Sequence, residues 1–227
     1  MKQIKLELQE FMGSDRSIAE AAWTSSTTYE GKDLKTDKDI ERVINMLADF
    51  KHSVPFESVV FRFWMRIPIV VDRQVVTHRI ASHSGMSGRY RTMPNEVLKV
   101  PSDVSLILVN SNCAYLEDRY DTIVHKSNEL YAEALVDLKE AEKIGLITNA
   151  EYKRAREFYR GILPQNNITE RVSIFNLRSL ANFIKLRDKP EAQPEIRHLA
   201  QLMLDAVERS GICPIALEAL KRNNWSI

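Results

Sequence analysis

Between Leu116 and Ile144 the chain keeps a single periodicity longer than anywhere else. Tyr120, Ile123, Val124, Leu130, Tyr131, Ala134, Leu135, Leu138 and Ala141 recur at helical spacing, and Gly145 stands where a left-handed cap would end the run. This spacing predicts one long helix, around which the shorter elements must be arranged.

Those shorter elements read in order. Ile4 to Leu8 alternates and predicts a strand. Ser14 to Thr24 predicts a short helix with Ser14 or Asp15 as cap, then a Ser/Thr turn at Ser25 to Thr28. Thr36 to Phe50 begins with a capping-box pair, Thr36 and Asp39, and carries the apolar stripe Ile40, Val43, Ile44, Leu47 and Ala48. Ser58 to Ile67 alternates with β-rich residues and predicts a strand. Ile69 to Arg79 stays open: Pro68 suits a helix start, whereas the β-branched content favours a strand. Asp103 to Asn110, with its SLILVN run, predicts a strand. Thr148 and Glu151 form a capping box for a helix through Ile162, which Pro164 stops. Thr169 to Phe175 is β-like. Asn176 is the expected N-cap of a helix from Leu177 to Leu186, with Leu180, Phe183, Ile184 and Leu186 on its buried side. Pro194 opens a helix through Val207, and Cys213-Pro214 to Lys221 a terminal one. About half the chain is helix and several strands accompany it, an α+β or mixed α/β inventory.

At 227 residues, one large domain or two small ones is the expectation. The net charge of +1 gives no bulk attraction for nucleic acid or a membrane surface. No apolar run reaches the ~18 residues that a membrane span needs. The amino-terminal MKQIKLELQE lacks a signal peptide's apolar core. Two cysteines, Cys113 and Cys213, have neither disulfide-framework nor zinc spacing, and reduced thiols suit the cytoplasm.

The chemistry concentrates between Pro68 and Met93. This stretch holds Arg73, Gln74, His78, Arg79, Ser82, His83, Ser84, Ser87, Arg89, Tyr90 and Arg91, with Gly85 and Gly88 among them, and Asp72 is the only acid between Glu57 and Glu96. A solvated basic loop is the plain reading. An anion site built from Arg forks and backbone N–H groups is the sharper one, and we favour it. The chain has no glycine fingerprint for dinucleotides, no nucleophile elbow and no metal-ligand spacing. Its Arg, His, Ser and Asn residues are suited to an anionic, planar ligand, with Gln and Asn amides matching the edge of a base or a flavin.

A resemblance extends this. Thr77-His78-Arg79, seven residues, then Ser87-Gly88-Arg89-Tyr90 resembles the signature of flavin-dependent thymidylate synthases, Arg-His-Arg, seven residues, Ser. His52-x-x-Pro55-Phe56-Glu57, Pro68-Ile69 through Arg73-Gln74, Arg160-x-x-Leu163-Pro164 and Asn176-x-Arg178-Ser179-Leu180-x-Asn182 to Arg187 resemble further segments of that family, in its order. So does Phe11-Met12-Gly13 with the helix ending at Ser25.

The resemblance implies an α+β fold with a mixed or antiparallel sheet flanked by long helices, as a single domain spanning residues 1–227. It implies a homotetramer with active sites between subunits, and reductive methylation of dUMP to dTMP with FAD, NADPH and methylenetetrahydrofolate, a folate. It implies that Ser25, His52, His78, Arg79, Asn176, Arg178 and Asn182 contact FAD. Arg73, Gln74, Ser87, Gly88, Arg89, Arg160 and Arg187 would hold dUMP, with Arg187 and Ser87 as the catalytic pair. No nucleic acid or membrane partner is implied, and no metal.

The chain departs from the pattern at three places. Thr77 stands where the signature opens with Arg, Ser84-Gly85 where the family usually has Asn-Glu, and Pro190-Glu191 where a His is common after the Arg187 position. These changes leave two alternatives beside dTMP formation: a relative that hydroxymethylates or otherwise modifies carbon 5 of a pyrimidine nucleotide, and a non-catalytic flavin- or nucleotide-binding protein.

Overall fold

The structure, a computed structural model, describes residues 3–225. In chain order it has β1 (Lys5–Met12), α1 (Asp15–Trp23), α2 (Tyr29–Asp33), α3 (Asp37–Asp49), β2 (Val60–Pro68), α4 (Ile69–Val75), β3 (Ser82–Gly85), α5 (Ser102–Asn110), α6 (Tyr115–Lys143), α7 (Asn149–Tyr159), β4 (Ile168–Asn176), α8 (Leu177–Arg187), α9 (Pro194–Ser210) and α10 (Pro214–Arg222). A 3-10 turn, Val54–Ser58, precedes β2, and another, Arg160–Ile162, follows α7. The strands form one four-stranded sheet in the order β1-β2-β4-β3, with β1 antiparallel to β2. The expected α+β class with a sheet and long helices is what is observed.

The chain divides into two compact units. One, here the helical unit, comprises Ile67–Asp72 and Gly85–Glu170; the other, the sheet unit, comprises the remaining described residues.

In the sheet unit, alternation along β2 turns Phe61, Phe63 and Met65 inward, each fully buried. Phe63 meets Phe175 of β4 edge-on at 6.4 Å, and Phe175 meets Phe183 of α8 at 5.6 Å. Burying each such ring contributes about 1.5–3 kcal/mol. The stripe Ile40, Val43, Ile44, Leu47 and Ala48 of α3 is buried as its spacing requires. Thr36 donates to the Asp39 carboxylate through both its backbone N–H and its hydroxyl, at 2.9 and 2.8 Å. Asp15 is buried, and its carboxylate accepts the backbone N–H groups of Ile215 and Ala216 at 3.1 and 2.9 Å, tying the start of α1 to that of α10. Gly13 has φ +91°, and a Cβ there would lie 2.5 Å from the Ser58 carbonyl oxygen, so only glycine lets β1 end against the segment that leads into β2.

In the helical unit α6 runs 29 residues, about 43 Å at 1.5 Å per residue. Its buried stripe is Val124, Asn128, Tyr131 and Leu135. That is narrower than the apolar spacing predicts, for Ile123 and Leu130 are exposed. Asn128 enters the stripe because its amide pairs with Asn167: Asn167 Nδ2 donates to Asn128 Oδ1 at 2.7 Å and Asn128 Nδ2 donates back at 3.3 Å. Each amide supplies both a donor and an acceptor, so the pair is buried without orphaned polar atoms.

Two expectations are corrected. Asp103 to Asn110 is not a strand but lies in helix α5. A short apolar run fits either structure by periodicity, and here Pro101 opens the helix while its backbone bonds stay local, as Ser105 N to Pro101 O at 2.9 Å shows. Leu186 is exposed rather than buried. The stripe of α8 passes through Leu180, Phe183 and Ile184, and the next residue on it is 187, so 186 faces away. The segment left open after Pro68 is helical through Val75, and Thr77, His78 and Arg79 lie beyond its end.

Candidate functional site

The sheet unit holds a cavity of about 660 Å³. It lies beside α8, whose Leu177, Leu180, Phe183 and Ile184 are buried while Arg178, Asn182, Lys185 and Leu186 line the cavity from the opposite face. Asn176 caps this helix, its Oδ1 accepting the Ser179 N–H at 2.8 Å. Thr77, His78, Arg79 and Ile80 form a second wall, and Lys51, Ser53, Asn224 and Trp225 a third.

Among the described residues five cationic side chains line this space, Lys51, Arg79, Arg178, Lys185 and Arg187, and no carboxylate does. Arg178 is paired from outside the lining, Nη1 to Glu57 Oε1 at 2.6 Å. Arg187 is held differently. Its Nε donates to His78 Nε2 at 3.3 Å, and its Nη2 donates to the Thr77 hydroxyl at 3.2 Å and the Gln74 carbonyl at 3.4 Å. All three acceptors are uncharged when His78 is neutral.

His78 is neutral for a physical reason. Burial, and then the positive charge of Arg187, push its pKa down from 6.5 to about 4. Its ring lies edge-on to Phe183 with centroids 4.7 Å apart. His83, on β3, bonds the His78 carbonyl through Nε2 at 3.2 Å and the fully buried Ser173 hydroxyl through Nδ1 at 2.9 Å. A carbonyl only accepts, so Nε2 of His83 carries the hydrogen.

The structure thus brings His78, Arg79, Arg178, Asn182 and Arg187 onto one cavity. Ser25 and His52 line a separate groove of about 720 Å³ formed with α1, α3 and the Val54–Ser58 turn, and Lys51 and Ser53 line both spaces. Asn176 is placed by its capping role. Gln74 donates through its amide to Gln193 Oε1 at 2.8 Å, and Arg73 sits exposed in the last turn of α4.

The remaining candidates belong to the helical unit. There the Ser87 carbonyl accepts the N–H groups of Tyr90 and Arg91, both at 3.1 Å, and Arg89 Nε donates to Glu157 Oε1 at 2.5 Å. A Cβ on Gly88 would lie 3.3 Å from Arg160 Cδ, so the glycine admits the stem of Arg160 against the chain. Ser87, Gly88, Arg89 and Arg160 form this second group.

Several residues that line the cavity or support its wall escape the sequence reading. His83 sits in the polar stretch, yet only its pairing with Ser173 reveals a role. Lys51 and Ser53 flank His52, a signal that was present. Trp225 has none: it is placed by its indole N–H donating to the Ala48 carbonyl at 3.2 Å and by Phe56 at 5.4 Å.

Comparison with known proteins identifies the family. Residues 7–214 match the family described as thymidylate synthase complementing protein. A flavin-dependent thymidylate synthase of Kosmotoga olearia is 33% identical over 219 residues, covering 94% of this chain and 88% of that protein. One of Treponema denticola is 32% identical over 221 residues, covering 96% and 79%. The fold is shared with the UMP/dUMP methylase PolB from Streptomyces cacaoi, whose crystal structure with 5-Br dUMP superposes with a TM-score of 0.69 at 22% identity, over 96% of this chain and 95% of that one. With its sequence segments in order, a matching fold and relatives similar over nearly its whole length, the chain belongs to the thymidylate synthase complementing protein family, the flavin-dependent thymidylate synthases.

Proposed function

We propose that this protein converts dUMP to dTMP, taking a one-carbon unit from methylenetetrahydrofolate and reducing equivalents from NADPH through FAD. The observation that carries the reading is Arg187, a half-buried guanidinium oriented by neutral acceptors in a cavity that no carboxylate lines among the described residues.

The donor set suits a flavin nucleotide. Arg79, Arg178 and Lys185 offer charge-assisted donors to a diphosphate, and Asn182 an amide to a ring edge. His78, Arg79, Arg178 and Asn182 would hold FAD, with Ser25, His52 and Asn176 as further contacts. Bound FAD supplies hydride-transfer chemistry to the site.

Arg187 donates hydrogen bonds to a uracil carbonyl and stabilises the negative charge that builds on the ring as carbon 5 becomes nucleophilic. Because no carboxylate among the described residues neutralises it, that charge is available to the substrate. Arg73, Gln74, Ser87, Gly88, Arg89 and Arg160 serve the nucleotide, Arg89 and Arg160 as phosphate forks. Ser87 is the second residue assigned to catalysis. Cys213 is fully buried, and burial pushes its thiol up to about 12, so it is no nucleophile.

We further infer a homotetramer in the cytoplasm, with the whole chain acting as one functional domain. Helix α5 has no buried residue and exposes Leu106, Ile107 and Val109 at 60%, 62% and 58%, an apolar face suited to a second copy. Both cysteines are free thiols, which suits a reducing compartment. Sedimentation equilibrium tests the assembly, a tetramer being the expected mass.

For the reaction, the purified protein is examined for a flavin absorption spectrum and incubated with dUMP, methylenetetrahydrofolate and NADPH. Bound flavin and dTMP are expected. Hydroxymethyl-dUMP as the product would replace the assignment with the diverged reaction, and absence of flavin and nucleotide binding would overturn both.

A further inference from the structure

Thr77 stands where the family signature carries its first arginine, and its hydroxyl has a defined place. The Thr77 Oγ1 hydrogen is committed to the Gln74 carbonyl at 2.7 Å, across the turn that ends α4. With the hydrogen fixed, the oxygen presents its lone pairs outward, and Arg187 Nη2 donates to it at 3.2 Å. The same Nη2 reaches the Gln74 carbonyl at 3.4 Å, so one guanidinium nitrogen is shared between two oxygens that are themselves bonded together. An arginine at position 77 would carry only donors and could not receive this bond.

The turn that offers this acceptor is anchored from behind. His83 fixes the His78 carbonyl at 3.2 Å and is fixed in turn by buried Ser173 at 2.9 Å. The His78 ring rests on Phe183 and accepts Arg187 Nε. Arg187 is therefore gripped at two of its nitrogens by groups that cannot move independently. Among the described residues no carboxylate pairs with it. A carboxylate in the place of Thr77 would orient the guanidinium equally well but would neutralise it; a hydroxyl orients it and leaves the charge.

We propose that Thr77 is a positioning residue for Arg187, its hydroxyl holding the guanidinium in the orientation that faces the cavity. The catalytic consequence rests on the role given to Arg187 above; the contact itself does not. Thr77 touches Arg187 and acts through it.

The test compares Thr77→Val, which keeps the shape and removes the acceptor, with Thr77→Ser, which keeps the acceptor, and uses Arg187→Ala as reference. Thr77 is exposed, so folding survives these changes. Two quantities are read in each protein: kcat and KM for dUMP, and the titration of the His78 C2 proton by NMR without ligands. Arg187 depresses the His78 pKa through its charge, so release of the guanidinium raises it. Thr77→Val is expected to lower kcat about tenfold, the effect of losing one hydrogen bond to a charged group, with a smaller change in KM. It should move the His78 titration upward toward that of Arg187→Ala, and Thr77→Ser should restore both. Unchanged kcat and an unchanged titration in Thr77→Val would overturn the proposal, as would a Thr77→Ser protein that behaves like Thr77→Val. If the unsubstituted protein binds no flavin and makes no product, the functional reading above falls, while the His78 titration still decides whether Thr77 holds Arg187.

Discussion

Arg89 in the helical unit and Arg187 in the sheet unit are both expected to meet the nucleotide, yet their surroundings differ. Arg89 forms an ion pair with Glu157 at 2.5 Å, and its neighbour Arg91 another with Glu170 at 3.5 Å. Among the described residues Arg187 has only Thr77, His78 and a carbonyl. The difference fits the work that the proposed function gives each charge. A phosphate brings a full negative charge and can compete with a partly exposed carboxylate for a guanidinium. A uracil carbonyl acquires negative charge only as the reaction proceeds, so a carboxylate partner would already have spent the field that the transition state needs.

The sharpest way to break this contrast is Arg187→Ala. Turnover is expected to fall on the order of 10²–10³-fold, the scale for removing one donor to a developing anion. The fold should persist, since the guanidinium is half-buried and its partners also bond elsewhere. Steady-state rates and a thermal melt check the two halves, and a rate within about threefold of the parent would remove Arg187 from the chemistry.

Acid tests the neutral partner next. His78 titrates near 6.5 unfolded and about 4 folded. The unfolded chain therefore binds more protons between those values, and stability falls as pH drops from 6.5 to 4. The loss is at most about 3 kcal/mol, reduced by solvent screening. Urea melts across that window should show the slope, and His78→Gln should flatten it.

Much of this was legible in the chain. Capping pairs at Thr36–Asp39 and Thr148–Glu151, the cap Asn176 and the alternation of Phe61, Phe63 and Met65 rest on contacts a few residues apart, which sequence records directly. The helical face that gathers Arg178 and Asn182 is likewise a matter of spacing. The failures share a cause. Asp103 to Asn110 reads as a strand until its backbone bonds are seen to stay within a helix, and Asn128 looks out of place in an apolar stripe until Asn167 is beside it. The carboxylate-poor stretch after Pro68 is poor only along the chain: Glu157 and Glu170 arrive from α7 and β4 to pair with its arginines. Local spacing carries information about faces and caps; which distant groups meet is a property of tertiary packing.

Glu157→Gln gives the smallest effect and bears most directly on the comparison. The side chains of Arg89 and Glu157 are 56% and 27% exposed, so their pair should contribute no more than about 1 kcal/mol to stability. A melting temperature within a few degrees of the parent is expected, about 2–4 °C per kcal/mol for a chain of this size. Such a pair is also screened by salt, so the gap between parent and variant should narrow further at about 1 M ionic strength. A gap larger than about 2 kcal/mol, insensitive to salt, would mean that Glu157 is a buried partner of Arg89. The two arginines would then differ in burial as well as in partner, and the carboxylate could no longer be treated as one that a phosphate displaces.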